Sequence, residues 1–105
     1  MTGNVYDAIQ SFIGAGAVSQ SQAKSMLSAY SDKVQGQLIC AMYVGRDHLH
    51  STELQQPGLT YAGYTDHISS DEYALIIYEK NSNVGTYLSK MLECSGNSGF
   101  DLNNL

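Results

Sequence analysis

Residues 69–80 read SSDEYALIIYEK, and whether they form a helix or a strand decides the fold. Taken alone, LIIY (75–78) is a short apolar run that suits either. Its surroundings favour one. Ser69 followed three residues later by Glu72 is a capping-box pattern, in which hydroxyl and carboxylate each accept from a backbone N–H at a helix start. Tyr73, Ile76, Ile77 and Lys80 then recur at helical offsets, and charged residues flank the run. No second segment offers itself as a pairing strand, so a helix is expected here and an all-α chain overall.

The same signals recur on both sides. Asn4 stands as an N-cap before Val5, Ile9, Phe12 and Ile13, and Gly14 and Gly16 read as the stop. Ser19 with Gln22 opens a second helix over about 20–30, with Ala23, Met26, Leu27 and Tyr30 on one face. Asp32 with Gln35 opens a third. Val34, Leu38, Ala41 and Met42 form its stripe, and Cys40, Tyr43 and Val44 widen the apolar arc, so it is expected to be the most buried. Gly45 is expected to end it in a left-handed conformation, with Arg46 at the negative helix end. STELQQ (51–56) suits a further helical turn before Pro57 and Gly58 break it, and LTYAGYTDH (59–67) is rich in turn formers and tyrosine. From Ser82, the residues Val84, Tyr87, Leu88, Met91 and Leu92 form a last helical face, closed by SGNSG (95–99). Residues 95–105 are expected either to dock through Phe100 and Leu102 or to form a mobile tail.

The expected architecture is one compact all-α domain, residues 1–105, of about five short helices. Residues 33–45 lie at its centre, 69–78 and 83–94 pack against them as a hairpin, and 46–68 form an irregular loop. A length of 105 residues with 43% hydrophobic residues suits a single core and is too short for two ordinary domains. Ten acidic residues against five basic ones give a net charge of −5. That balance repels phosphate backbones and argues against direct nucleic-acid binding. It favours a protein partner with a basic surface, including proteins that themselves hold nucleic acid. No apolar run approaches the roughly 20 residues that span a bilayer, and MTGNVYDAIQ lacks the basic opening of a signal peptide. The chain therefore reads as cytoplasmic, with Cys40 and Cys94 as reduced thiols.

LICAMYVGRD (38–47), followed by YALIIYEKNSNVGTYLSKMLE (73–93), resembles an uncharacterised bacterial domain family. In that family a helix ends in a box like A-L-M-x-x-G-R-G-D and a later segment reads like Y-L-L-x-x-P-x-L-A-D-Y-L. The likeness covers about residues 33–94. Gly45, Arg46, Tyr87, Leu88 and Leu92 match, whereas Asp47 follows the arginine directly and Asn83 stands at the usual proline. The resemblance implies a small, mostly helical fold and no catalytic residues. For Arg46 it implies either a guanidinium fastening a helix end through several carbonyls or a carboxylate, or one that contacts an anion or a partner.

The enzyme-like alternative is a metal or small-ligand site, catalytic or sensory, built from the Arg46–His50 cluster (RDHLH) with Asp66 and His67. These residues supply oxygen and nitrogen ligands, but His48 and His50 point to opposite sides of an extended chain and lie about 200° apart on a helix. With no H-E-x-x-H or paired C-x-x-C pattern, no metal or cofactor is expected, and the histidines read as solvent-facing. Cys40, among apolar neighbours, reads as buried and inert, with Cys94 the more accessible thiol. No catalytic residue is assigned. Eight tyrosines supply amphipathic contact area. Tyr61 and Tyr64 fall in the loop beside Asp66, and this set, extended by Asp71, Glu72 and Glu79, is the expected partner-binding surface. The expected function is a non-enzymatic interaction module that modulates a protein. In its narrowest form this is a phage or mobile-element inhibitor of a nucleic-acid-handling defence complex, anti-CRISPR-like. A homodimer built by extending the core across a twofold axis is a related expectation.

Overall fold

The computed structural model describes residues 3–54 and 68–105. Five α-helices follow in order: α1 (Val5–Ala15), α2 (Gln20–Leu27), α3 (Asp32–Asp47), α4 (Tyr73–Lys80) and α5 (Asn83–Ser98). Single 3-10 turns precede α4 (Ser70–Glu72) and follow α5 (Leu102–Asn104), and no strand occurs among the described residues. The radius of gyration is 12.5 Å, close to the roughly 13 Å of a compact domain of this length.

Residues 73–80 are helical, and the Ser69–Glu72 box is in place. Glu72 accepts from the Ser69 N–H at 3.0 Å, and the Ser69 hydroxyl accepts from Asp71 at 3.3 Å. Asn4 and Ser19 cap α1 and α2 as expected. The third cap differs by one residue. Ser31, not Asp32, accepts from the Val34 N–H at 3.2 Å. Gln35 is thereby released from reciprocal capping, and its amide instead donates to the Leu27 and Tyr30 carbonyls at 2.8 and 3.0 Å. It gives the Leu27 carbonyl at the end of α2 a second donor beside the Tyr30 N–H, reaches the Tyr30 carbonyl just beyond, and ties that helix end to α3.

α3 and α5 are the central pair, α1 lies across both, and α4 packs chiefly against α2. The expected hairpin of α4 and α5 against α3 is therefore corrected: α4 buries Tyr73, Ala74 and Ile77 on the α2 side, where Ala23 and Leu27 are also buried. Asn81, the only described non-glycine residue at positive φ (57°), turns the chain between α4 and α5 with ψ −134°, outside the left-handed helical well.

Gly45 is the largest departure from expectation. The helix does not stop there; it runs on to Asp47, and Gly45 is not among the positive-φ glycines. A Cβ at this position would collide with the Tyr87 carbonyl oxygen and lie 3.3 Å from the Met91 nitrogen. Glycine is needed so that the backbones of α3 and α5 can touch. Gly14, also expected as a stop, is inside α1, and the chain turns at Gly16 (φ 68°).

Residues 51–54 form no helical turn. They are stitched along α5 instead: Lys90 donates to the Ser51 carbonyl at 3.0 Å, Asn97 to the Thr52 carbonyl at 2.7 Å, and Leu54 N–H to the Ser98 hydroxyl at 2.8 Å. The C-terminal segment docks. α5 continues past Gly96 and ends at Gly99 in the left-handed region, and Leu102 is fully buried. The Tyr6 hydroxyl accepts from Leu102 N–H at 2.8 Å and donates to Asp101 at 3.1 Å, while Gln37 donates to the Asn103 carbonyl at 2.9 Å.

Candidate interaction surface

The histidine cluster is divided by the helix end. His48, expected to face solvent, is 5% exposed, with Nδ1 2.7 Å from the Val44 carbonyl. Its ring folds back onto the last turn of α3, because the residue after a helix C-terminus is well placed to meet a carbonyl left without an intrahelical partner. His50 is exposed. Among the described residues no group of three or more His, Cys, Asp or Glu side chains is placed to hold a metal ion. Asp66 and His67 lie outside the described residues, as do Tyr61 and Tyr64.

Both thiols are buried, which corrects the accessibility expected of Cys94. Burial pushes the Cys40 thiol up to about 12 and raises that of Cys94, with Lys90 working against the rise and Glu93 adding to it. Each is held as the neutral thiol, the unreactive form.

Arg46 sits one residue before the end of α3 with its side chain 42% exposed. Its guanidinium lies 4.9 Å from the Tyr43 ring centroid, the two being neighbours at i and i+3. Asp47 is 3.7 Å from Nε, an ion-pair distance longer than a hydrogen bond. Among the described residues Arg46 does not make the expected helix-end fastening: its contacts there are one ring face and one exposed carboxylate. Exposed contacts of these kinds contribute little. Arg46→Ala should therefore lower stability by less than about 1 kcal/mol in urea denaturation, and a loss of 2 kcal/mol or more, as expected of a buried charged hydrogen bond, would contradict this placement.

The three remaining candidates, Asp71, Glu72 and Glu79, are all exposed and fall along one side of α4 and its leading turn. Between them the structure places two side chains that the sequence reading did not single out. Leu75 is 40% exposed and Tyr78 51% exposed, both among the few large apolar residues left open to solvent. Positions 71, 72, 75, 78 and 79 follow helical spacing, so they make one stripe of about 12 Å at 1.5 Å per residue. The stripe has a leucine and a tyrosine in the middle and carboxylates at both ends. The signal was present in YALIIYEK: Tyr73, Ile76 and Ile77 set the inward phase, and Leu75 and Tyr78 fall out of it.

A groove of about 390 Å³ opens beside the stripe, between α2 and the start of α4, and Asp71 borders both. Lys24, Gln35 and Asp71 line it together with Leu27 and Ala74, a mixed lining unlike the mostly apolar enclosure typical of small-molecule sites. No described helix is long and apolar enough to cross a membrane. No protein-family model matches the chain, and no curated protein or solved structure matches it.

Proposed function

We propose that the chain is a non-enzymatic interaction module that binds and modulates a protein partner carrying a basic rim around an apolar or aromatic pocket. The observation that carries this reading is the α4 stripe, where Leu75 and Tyr78 stand exposed between Asp71 and Glu72 at one end and Glu79 at the other. Exposed tyrosine and leucine side chains supply contact area, and surrounding charges select the partner. The stripe argues against a second copy as its occupant. Antiparallel pairing of two α4 helices through Leu75 would bring Glu72 towards Glu79 of the other copy, and a net charge of −5 adds further repulsion.

A partner that normally holds nucleic acid supplies the basic rim, since its surface already accepts closely spaced negative charge. The anti-CRISPR-like inhibitor is the narrow form of this proposal. The test is affinity capture with the full chain, identification of the captured protein, and titration of that purified partner. Tyr78→Ala and Leu75→Asp should each weaken binding at least about tenfold, the effect of an interface residue worth about 1.4 kcal/mol. Reversing Asp71, Glu72 and Glu79 to lysine should slow association and flatten its salt dependence, and short duplex DNA should compete if the partner is a nucleic-acid holder. Equal affinity for wild type and all these variants would remove α4 from the interface and the reading with it.

A further inference from the structure

We propose that Tyr43, Arg46 and Lys80 form an oxyanion site that takes a tetrahedral dianion of the phosphate class. The observation is a convergence of cations on one ring. The Arg46 guanidinium lies 4.9 Å and the Lys80 ammonium 5.5 Å from the same Tyr43 centroid, so the two charges are about 10 Å apart at most, the two distances laid end to end. They are two of only five Lys and Arg residues in a chain of net charge −5. They come from different helices, Arg46 from the end of α3 and Lys80 from the last turn of α4.

Each of the three groups has donors to spare. A guanidinium carries five N–H donors, an ammonium three, and a phenol one. Among the described residues none of these makes a hydrogen bond to a protein acceptor; the nearest carboxylate, Asp47, stands at ion-pair distance from Arg46. Two like charges held around one ring repel each other, and the negative faces of the ring offset only part of that repulsion. An anion at the tyrosine edge, accepting from the phenol, would offset the rest once the flexible Arg46 and Lys80 side chains swing toward it from over the ring. A tetrahedral dianion suits this arrangement better than a carboxylate, because it presents more acceptor oxygens in more directions. The site is separate from the α4 stripe and does not depend on the partner-binding reading.

The test is an NMR titration of the isotopically labelled full chain with sodium phosphate at neutral pH, against sodium chloride at matched ionic strength and against sodium acetate. Phosphate should produce saturable shifts at the Arg46 Nε–Hε resonance and at the amides around 43–47 and 80. Arg46→Ala and Lys80→Ala, both solvent-accessible changes, should each weaken phosphate binding by about three- to tenfold. Tyr43→Phe keeps the ring and loses the phenolic donor, so it should weaken binding by a smaller factor, about two- to threefold. Leu75→Asp should leave phosphate binding unchanged. Shifts reproduced by chloride, acetate binding as tight as phosphate, or affinity unaffected in both cation variants would each overturn the proposal.

Discussion

Gly45→Ala should destabilise the protein by about 3 kcal/mol or more, at the upper end of the overpacking range. On propensity alone the sign would be opposite, since alanine is favoured over glycine inside a helix by about 1 kcal/mol. The added methyl, however, meets the Tyr87 carbonyl, with the Tyr87 carbonyl carbon 2.8 Å away. The obstacle is backbone in the middle of α5, and backbone cannot turn aside as a side-chain tip does. Relief requires α3 and α5 to separate, which loosens the central pair of the fold. Gly14→Ala is the matched control: it is also inside a helix, with nothing within 4 Å of the new Cβ, and should raise stability by about 0.4 to 1 kcal/mol. Urea denaturation of the two variants settles the matter, and equal shifts of the same sign would show that close helix approach is not what requires glycine at 45.

Leu88→Ala should cost about 2 to 5 kcal/mol, the range for a fully buried leucine whose cavity closes only partly. Leu88 is completely inaccessible and lies on α5, in the same buried core as Leu38, Met42 and Met91. Leu75→Ala removes the same atoms from an exposed position on α4 and should change stability by no more than about 0.5 kcal/mol. The pair separates core from surface within one residue type. A Leu88→Ala loss below about 0.5 kcal/mol would mean that the inward face of α5 is wrongly placed.

Much of this architecture could be read before any coordinates, because capping and periodicity are local. Asn4, Ser19 and Ser69 announce helix starts within four residues of themselves, and Val5, Ile9 and Phe12 repeat at a spacing that needs no partner to interpret. The errors come from positions whose meaning is set at a distance. Glycine at a helix end and glycine at a helix crossing are the same letter; what distinguishes Gly45 is Tyr87, forty-two positions away. Ser31 and Asp32 are adjacent and equally good caps, and the choice between them frees Gln35 for the end of α2. The candidate surface was half legible for a similar reason. Charge marked Asp71, Glu72 and Glu79, whereas Leu75 and Tyr78 sit inside an apolar run, where their outward place has to be read from the phase set by Tyr73 and Ile77, both of which α4 buries. The pairing of α4 with α2 and the inward turn of His48 were likewise invisible to composition and spacing.

The clip between Tyr6 and Leu102 sets an order of events during synthesis. Helix α1 is synthesised before the other four, yet its final neighbours include α5 and the last 3-10 turn, and the phenol of Tyr6 waits for a backbone N–H ninety-six positions later. Translation at about 5 to 20 residues per second leaves α1 without those neighbours for something like 5 to 20 s. During that interval Val5, Ile9 and Phe12, which end up fully covered, have only the α3 side of their eventual environment to shelter them. Among the five helices the earliest made is thus the one left longest without its neighbours, and a chaperone or a protease meeting these helices during synthesis would find the apolar face of α1 open for that interval.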